Sequence, residues 1–87
     1  MAIGFPNASR YYDATRNAVH FWGHDQSMEA SFFVSAAALQ HLSPQVDNSE
    51  RALLDAFDRH RTRICEVAAK IYGGHKGGSY DIHPSSF

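Results

Sequence analysis

One segment decides the fold: Asn48 to Tyr72, which reads NSERALLDAFDRHRTRICEVAAKIY. It contains neither glycine nor proline, and its apolar residues recur at the spacing that places them on one face of an α-helix. That face is formed by Leu53, Leu54, Phe57, Ile64, Cys65, Val67, Ala68, Ile71 and Tyr72. Charged residues occupy the opposite face. The segment predicts one long helix with a buried side and a solvated side.

The two ends of this helix are predicted from the residues that flank it. Asp47 is followed three residues later by Glu50, which is the spacing of a capping box. Gly73 and Gly74 come directly after the last apolar position, and glycine adopts the left-handed conformation that ends many helices. We therefore expect an uninterrupted helix from Asn48 to Tyr72.

The composition limits the size and the partners of the protein. We interpret residues 1–87 as one small domain with one core. With 8 basic and 9 acidic residues the net charge is −1, which gives no general attraction for nucleic acid. The single Cys65 cannot form an internal disulfide, no apolar signal segment follows Met1, and no apolar run approaches the ~20 residues of a membrane span. We expect a cytoplasmic protein without membrane contact.

The first part of the chain predicts three antiparallel strands in a meander. Apolar and polar residues alternate in short runs, and polar segments typical of turns separate these runs. Ile3 and Phe5, in an irregular lead-in, are apolar enough to cover an edge of the core. The predicted elements are a lead-in at 1–9, a strand at 11–12, a turn at 13–17, a strand at 18–23, a tip at 23–27 and a strand at 28–34.

The rest of the chain adds helices and one more strand. Ser35 is suited to cap a short helix from Ala36 to Leu42, and the proline after Ser43 ends that helix. After the long helix come a glycine-rich hinge at 73–78 and a short edge strand from Ser79 to His83. The order β-β-β-α-α-β predicts an α+β fold in which both helices pack on one face of a small sheet.

Several aromatic and turn positions also resemble a known family. They are Tyr12, Asp13, Arg16, Val19, Phe21, Trp22, Gly23, His24, Asp25, Phe32, Phe33, Val34, Tyr80 and Phe87. Over nearly the whole chain this pattern resembles the short bacterial proteins of the domain-of-unknown-function family DUF1488. The resemblance implies a stand-alone α+β protein of the bacterial cytoplasm. It implies no catalytic residues, because the family has no assigned biochemical role.

The six histidines raise the question of a metal site. His20 and His24 are four residues apart, but in a strand that runs into a turn, where we do not expect them to share a face. The other histidines are spread over different elements. A site formed on folding by His20, His60 and a carboxylate stays as an alternative. The prediction is that the protein holds no metal and no cofactor.

Two other features have simple structural explanations. Cys65 lies beside the apolar face of the long helix, far from the N-terminal amides that would lower the pKa of its thiol, so we interpret it as an apolar filler. The segment Gly73 to Gly78 has the composition of a phosphate-binding loop, but it follows a helix instead of preceding one. We therefore predict no catalytic residues.

The predicted sheet has a second face that the helices leave uncovered. If Val19, Phe21 and Phe32 face the helices, alternation leaves other rings on the opposite side, and the pattern alone does not decide which of the two faces the helices cover. The candidate binding residues of that aromatic face are Tyr12, His20, Trp22, His24 and Phe33. Two interpretations stay open: the face binds a partner, or the lead-in at 1–9 folds back over it.

The function predicted from these observations is a small non-enzymatic binding or regulatory module. It would act by contact with another protein or with a second copy of itself, through the helix or the aromatic face. The first alternative is a weak single-stranded nucleic-acid binder that stacks bases on the rings, with Arg10 and Arg16 nearby, although the net charge opposes it. The last alternative is an enzyme or metal site built around His20, His24 or His60.

The length of the helix favours a homodimer. A helix from Asn48 to Tyr72 would be ~37 Å long, whereas a compact chain of this size has a diameter of about 31 Å. The last two turns, Ile64 to Tyr72, would then project beyond the sheet, and a two-fold contact would cover their apolar side. The alternative is that the lead-in or the fourth strand covers it.

Overall fold

The computed structural model describes residues 3–26, 28–72 and 79–87. Within these ranges four strands form one sheet and three α-helices cover one of its faces, which confirms the predicted α+β fold. The elements are β1 (Tyr11–Asp13), β2 (Ala18–Asp25), β3 (Met28–Ser35), α1 (Ala36–Leu42), α2 (Glu50–Arg59), α3 (Arg61–Ile71), β4 (Ser79–Ile82) and a C-terminal 3₁₀ turn (Pro84–Ser86).

The sheet has the strand order β1-β2-β3-β4. The first three strands pair antiparallel as the predicted meander, and β4 lies at the edge as predicted. β4 runs parallel to β3, because the chain passes through the helices before it returns to the sheet, and parallel pairing needs such a long crossover. In chain order, α1, α2 and α3 therefore come between β3 and β4.

The tip between β2 and β3 is shorter than predicted. Backbone pairing with β3 continues as far as Asp25, and Gln26 takes the left-handed conformation with a φ of 58°. The predicted five-residue tip at 23–27 is therefore wrong. Because β2 stays extended past its predicted end, His20 and His24 lie on the same face of the sheet, contrary to the expectation that they would not.

The predicted continuous helix from Asn48 to Tyr72 is wrong, because it is divided at His60 into α2 and α3. His60 has φ −109° and ψ 18°, and its Nε2 lies 2.8 Å from the Oγ of Ser43 at the end of α1. An unbroken helix of ~37 Å would match the 36 Å long axis of the whole molecule. The break allows both shorter helices to stay over the sheet.

The helix caps agree with the prediction for α1 and differ for α2. The hydroxyl of Ser35 accepts the N–H of Ala38 at 3.0 Å, as expected for the cap of α1. At α2 the hydroxyl of Ser49 accepts the N–H of Ala52, so Ser49 is the cap and the predicted capping role of Asp47 is wrong. Asp47 instead accepts the N–H of Ser49 at 2.8 Å.

The apolar side of α3 is buried inside the protein. Ile64 is 0% exposed, Val67 9% and Tyr72 7%, so the expectation that Ile64 to Tyr72 would project beyond the sheet is wrong. The Tyr72 ring packs on Tyr80 of β4, with the centroids 5.6 Å apart. The largest fully buried side chains of the core are Val19, Phe21, Phe32, Val34, Leu39, Leu53, Phe57, Ile64 and Ile82.

The apolar residues of the lead-in, Ile3 and Phe5, pack on the helix side of the sheet, whereas Asn7 and Ser9 lie beside Tyr11 and Trp22. Gly4 and His24 exchange backbone hydrogen bonds of 2.9 and 2.8 Å, and the ring of Phe5 packs between the core rings. The guanidinium of Arg61 donates to the carbonyl oxygens of Phe5, at 3.2 Å, and Asn7, at 2.9 Å. The lead-in covers an edge of the core, as its apolar residues suggested. The alternative that it folds over the aromatic face is wrong.

Two predictions remain, one about the glycine-rich hinge and one about membrane-spanning helices. The predicted glycine-rich hinge at residues 73–78 lies outside the described ranges. Of the helices inside them, none combines the length and the apolar composition that crossing a membrane requires.

Candidate functional site

The sheet buries one face against the helices and presents the other, which we call the open face. Side chains alternate along each strand, and the strand register places Tyr11, His20, Phe33 and Asp81 in one row across the four strands. The open face consists of Tyr11, Asp13, His20, Trp22, His24, Glu29, Ser31, Phe33 and Asp81, with Arg16 reaching over it from the turn between β1 and β2.

The rings of the open face form a continuous ladder. The His20 ring lies between Trp22 and Phe33, with 4.2 Å between centroids on each side. Trp22 in turn meets Tyr11 edge to face at 5.5 Å. Such offset and edge-to-face pairs are the preferred arrangements of aromatic rings. Tyr11, at the end of the ladder, is 61% exposed, so the ladder begins at the protein surface.

Charged side chains surround this ladder. The guanidinium carbon of Arg16 lies 4.1 Å from the centroid of the Phe33 ring, within the range of a cation–π contact. The same guanidinium lies 3.6 Å from a carboxylate oxygen of Asp81 and 3.9 Å from one of Asp13. Arg16 therefore covers much of Phe33, which explains why this phenylalanine is only 8% exposed on a face without helices.

His20 is the central group of the ladder and has an unusual environment. Its Nε2 is buried and finds no hydrogen-bond partner among the described residues. Burial lowers the pKa of His20, Asp13 acts in the opposite direction, and Arg16 lowers the pKa further. A lowered pKa favours the neutral imidazole, which stacks like another aromatic ring.

Most of the chain matches the sequence profile of one protein family. The sequence profile of DUF1488, described as a protein of unknown function, matches residues 3–83. The chain belongs to the DUF1488 family. This confirms the resemblance seen in the aromatic and turn positions.

A crystal structure is similar to this DUF1488 chain over most of its length. The protein in that crystal comes from Shewanella loihica PV-4 and is a DUF1488-family protein of unknown function. The two structures match with a TM-score of 0.74 and 23% sequence identity, and the match covers 88% of this chain and 89% of that chain. At this identity the similarity shows a common fold alone. Among curated proteins no significant match is found.

Four of the five predicted binding residues of this DUF1488 chain lie on the open face. They are His20, Trp22, His24 and Phe33. Tyr12 does not, because it pairs with Val19 and packs toward the core, where its hydroxyl donates to Oδ1 of Asn17 at 2.8 Å. The prediction for Tyr12 is wrong by one residue, and Tyr11 takes the place expected for it.

The carboxylates of the open face were missed in the sequence. Asp13, Glu29 and Asp81 are separated widely along the chain and become neighbours of the rings only through the strand register. Side chains alternate between the two faces of a sheet. Once the register is known, continuing this alternation from Trp22 across the neighbouring strands locates the three carboxylates. Arg10, expected beside the rings, instead pairs with Asp58 on α2 through bonds of 2.8 and 2.7 Å.

The histidines proposed for an enzyme or metal site are not brought together. His20 and His24 lie on the open face, whereas His60 lies at the junction of α2 and α3. Within the described residues no group of three or more histidine, cysteine, aspartate or glutamate side chains has the geometry to hold a metal ion. The arrangement therefore provides no built metal centre in these ranges.

A serine and a histidine do meet in this DUF1488 fold. Ser43 Oγ and His60 Nε2 are 2.8 Å apart, beside a cavity of about 380 Å³ lined by Ser43, Pro44, Gln45, Val46 and Arg59. A nucleophile and its base have this spacing, but a catalytic pair also needs a third group that orients the imidazole. No hydrogen bond to the second ring nitrogen occurs in the described residues, and the contact joins α1 to the junction of α2 and α3.

Cys65 is the other nucleophile to consider. It is half-buried beside the core, and burial raises the pKa of its thiol, with a smaller opposing effect of Arg61. A raised pKa keeps the sulfur protonated and unreactive near neutral pH. This environment fits the predicted role of Cys65 as an apolar filler.

Proposed function

We propose that this protein is a small non-enzymatic binding module that acts in the cytoplasm through protein contacts, with the open face as its contact surface. One observation carries the proposal. The helices and the apolar lead-in residues Ile3 and Phe5 pack on the other side of the sheet, so the ring ladder from Tyr11 to Phe33 has no helix over it in the described residues. Aromatic side chains with a polar end are enriched at the centres of protein interfaces.

The size of the open face fits a transient contact. Four strands about 4.8 Å apart, with up to about eight residues rising about 3.3 Å each, give a patch of at most roughly 500 Å². Standard protein interfaces bury about 800 Å² on each partner. A module that uses this face alone is therefore expected to bind and release its partner rather than to form a permanent complex.

Single-stranded nucleic acid is the second candidate, and the ring ladder favours it. Bases stack on accessible aromatic side chains, and the exposed Tyr11 and the partly exposed Trp22 offer such rings. The charge of the face opposes this candidate, since Arg10 is already paired with Asp58 on the helix side. We therefore rank nucleic acid below protein as the partner.

A homodimer stays a prediction, but the surface that suggested it is not free to form the contact. The apolar side of α3, which suggested it, is buried within one chain by its own sheet. A second copy would have to use another surface, and the open face is one candidate in the described part of the chain. Proteins that meet by two-fold symmetry bury the same patch on both copies.

Site-specific photo-cross-linking in the native host tests the proposal. A benzoylphenylalanine replaces Tyr11 on the open face, and a matched one replaces Arg51, an exposed residue of α2 on the other side. We expect a discrete adduct with one protein from position 11 and none from position 51. The adduct should be lost in the Trp22→Ala background, provided that circular dichroism shows an intact fold.

The identity of the adduct separates the candidates. An adduct with a different protein supports the proposal, and an adduct of the chain with itself supports the homodimer. Cross-linking to nucleic acid would replace the proposal by the second candidate. Equal adducts from both positions, or no adduct from position 11, would refute the open face as the contact surface.

A further inference from the structure

The open face has two halves that differ in the presence of a cation. In the first half the guanidinium of Arg16 lies on the ring of Phe33, 4.1 Å from its centroid, and close to the carboxylates of Asp13 and Asp81. The Phe33 ring holds the guanidinium by its π-face, and the two carboxylates hold it by charge. The chain fills this half with its own arginine.

The second half has the same chemistry without an arginine of its own. A shallow groove of about 320 Å³ is lined there by Asn7, Ser9, Tyr11, Trp22 and Glu29. The rings of Tyr11 and Trp22 meet edge to face at 5.5 Å, and the side chain of Glu29 is 55% exposed. The lining therefore offers two rings and one carboxylate but neither arginine nor lysine.

We propose that this groove binds an arginine side chain of a partner protein, with the guanidinium on the rings of Tyr11 and Trp22 and paired with Glu29. The inference rests on the proposed function of the open face and names the chemistry of its partner. Arginine fits better than lysine because its planar guanidinium stacks on rings and binds a carboxylate through two parallel hydrogen bonds. Arg16, on the ring of Phe33 and close to Asp13 and Asp81, is an internal example of a guanidinium held by a ring and carboxylates.

The charge of the open face points to the same occupant. Among its described residues it carries three carboxylates, of Asp13, Glu29 and Asp81, and one guanidinium, of Arg16. His24, 3.8 Å from Glu29, adds a positive charge only when it is protonated. A negative face attracts a cationic segment and repels both nucleic acid and a second copy that docks by the same face. The favoured occupant is therefore a different protein with an exposed arginine.

Titration of the isotope-labelled chain with blocked peptides tests the inference. The probe is a seven-residue glycine–serine peptide with two arginines, and the controls replace both arginines by citrulline, which keeps the shape and removes the charge, or by glutamate. Trp22 is the single tryptophan, so its indole N–H gives one assigned NMR signal in the groove. We expect the arginine peptide to shift this signal with a dissociation constant on the order of 0.1–1 mM, and the controls to leave it in place.

Matched variants locate the binding. Glu29→Gln should weaken the arginine peptide by about fivefold or more, whereas Glu66→Gln, on the exposed side of α3, should leave its affinity unchanged. Tyr11→Ala should also weaken it, and because Tyr11 is 61% exposed this variant is expected to fold. Retained dispersion of the amide spectrum checks the fold of each variant.

Three results with the peptides would overturn the inference. They are equal binding of the citrulline peptide, unchanged affinity in Glu29→Gln, and no shift with the arginine peptide. Each of these, combined with a protein adduct from position 11, would leave the proposed function intact and remove only arginine as the recognised group. A single-stranded oligonucleotide that shifts the Trp22 indole signal at about 0.15 M salt would overturn it in favour of nucleic acid.

Discussion

Gly23 and Phe5 are so close that position 23 has no room for a side chain. A Cβ at Gly23 would lie 2.8 Å from Cε2 of Phe5 and 2.8 Å from Cδ1 of Ile3. The lead-in reaches the core only because this strand residue is glycine. The same contact holds the side chains of Ile3 and Phe5 on the helix side, away from the open face.

Gly23→Ala is therefore expected to destabilise the fold. The added methyl must push Ile3 and Phe5 outward, and overpacking of this kind costs about 1–3 kcal/mol. Urea unfolding of Gly23→Ala and of Gly4→Ala checks this, since a Cβ at Gly4 meets its nearest neighbour, Pro6, only at 4.0 Å. Equal losses of stability in the two variants would contradict the close approach at Gly23.

His20 is expected to make the stability of the protein depend on pH. Its pKa is lowered from the ordinary 6.5 by burial, with opposing effects of Asp13 and Glu29 and a further lowering by Arg16. The unfolded chain then binds a proton at a higher pH than the folded chain, so this contribution is complete above about pH 6.5 and is lost as the pH falls toward the folded pKa. Protonation would also disturb the ring ladder.

The measurement is the free energy of unfolding at about pH 7.5 and about pH 5. The loss between the two should be smaller in His20→Gln than in the wild type. His83→Gln, which changes an exposed histidine outside the open face, controls for the removal of one imidazole. If His20→Gln loses as much stability on acidification as the wild type, the buried state of His20 is refuted.

Ser43 and His60 should be energetically coupled, because their hydrogen bond of 2.8 Å joins α1 to the break between α2 and α3. In a double-mutant cycle of Ser43→Ala and His60→Gln, we expect a coupling energy of about 1 kcal/mol. Chemical denaturation of the four proteins gives this value. Strictly additive losses would mean that the break in the helix has another cause.

The features predicted correctly from the sequence are those that local pattern specifies. Alternation with a period of two identified the meander and grouped Val19 with Phe21 on one face, which the structure then shows to be the helix side. The same alternation placed His20 and Trp22 on the other face. None of these assignments needs knowledge of a distant part of the chain.

The wrong predictions depend on tertiary contacts. The 3.6-residue period continues through His60, so no local pattern marks the break, at which His60 contacts Ser43, 17 residues away. Whether Tyr11 or Tyr12 lies on the open face depends on the turn, in which Asn17 has a φ of 51°. Ile3 and Phe5 of the lead-in pack on the helix side of the sheet because Gly23 leaves room for them there. A glycine inside a strand often marks a close approach of this kind, so Gly23 could have predicted this packing.

The central claim is that the open face is the surface by which this protein binds another protein. Isothermal titration calorimetry with the partner recovered by cross-linking tests it most directly, by comparing wild type, Tyr11→Ala and Arg51→Ala. We predict that Tyr11→Ala weakens binding by at least about tenfold and that Arg51→Ala leaves it unchanged. Unchanged affinity in Tyr11→Ala, or a loss confined to Arg51→Ala, would contradict the claim and move the binding surface to the helices.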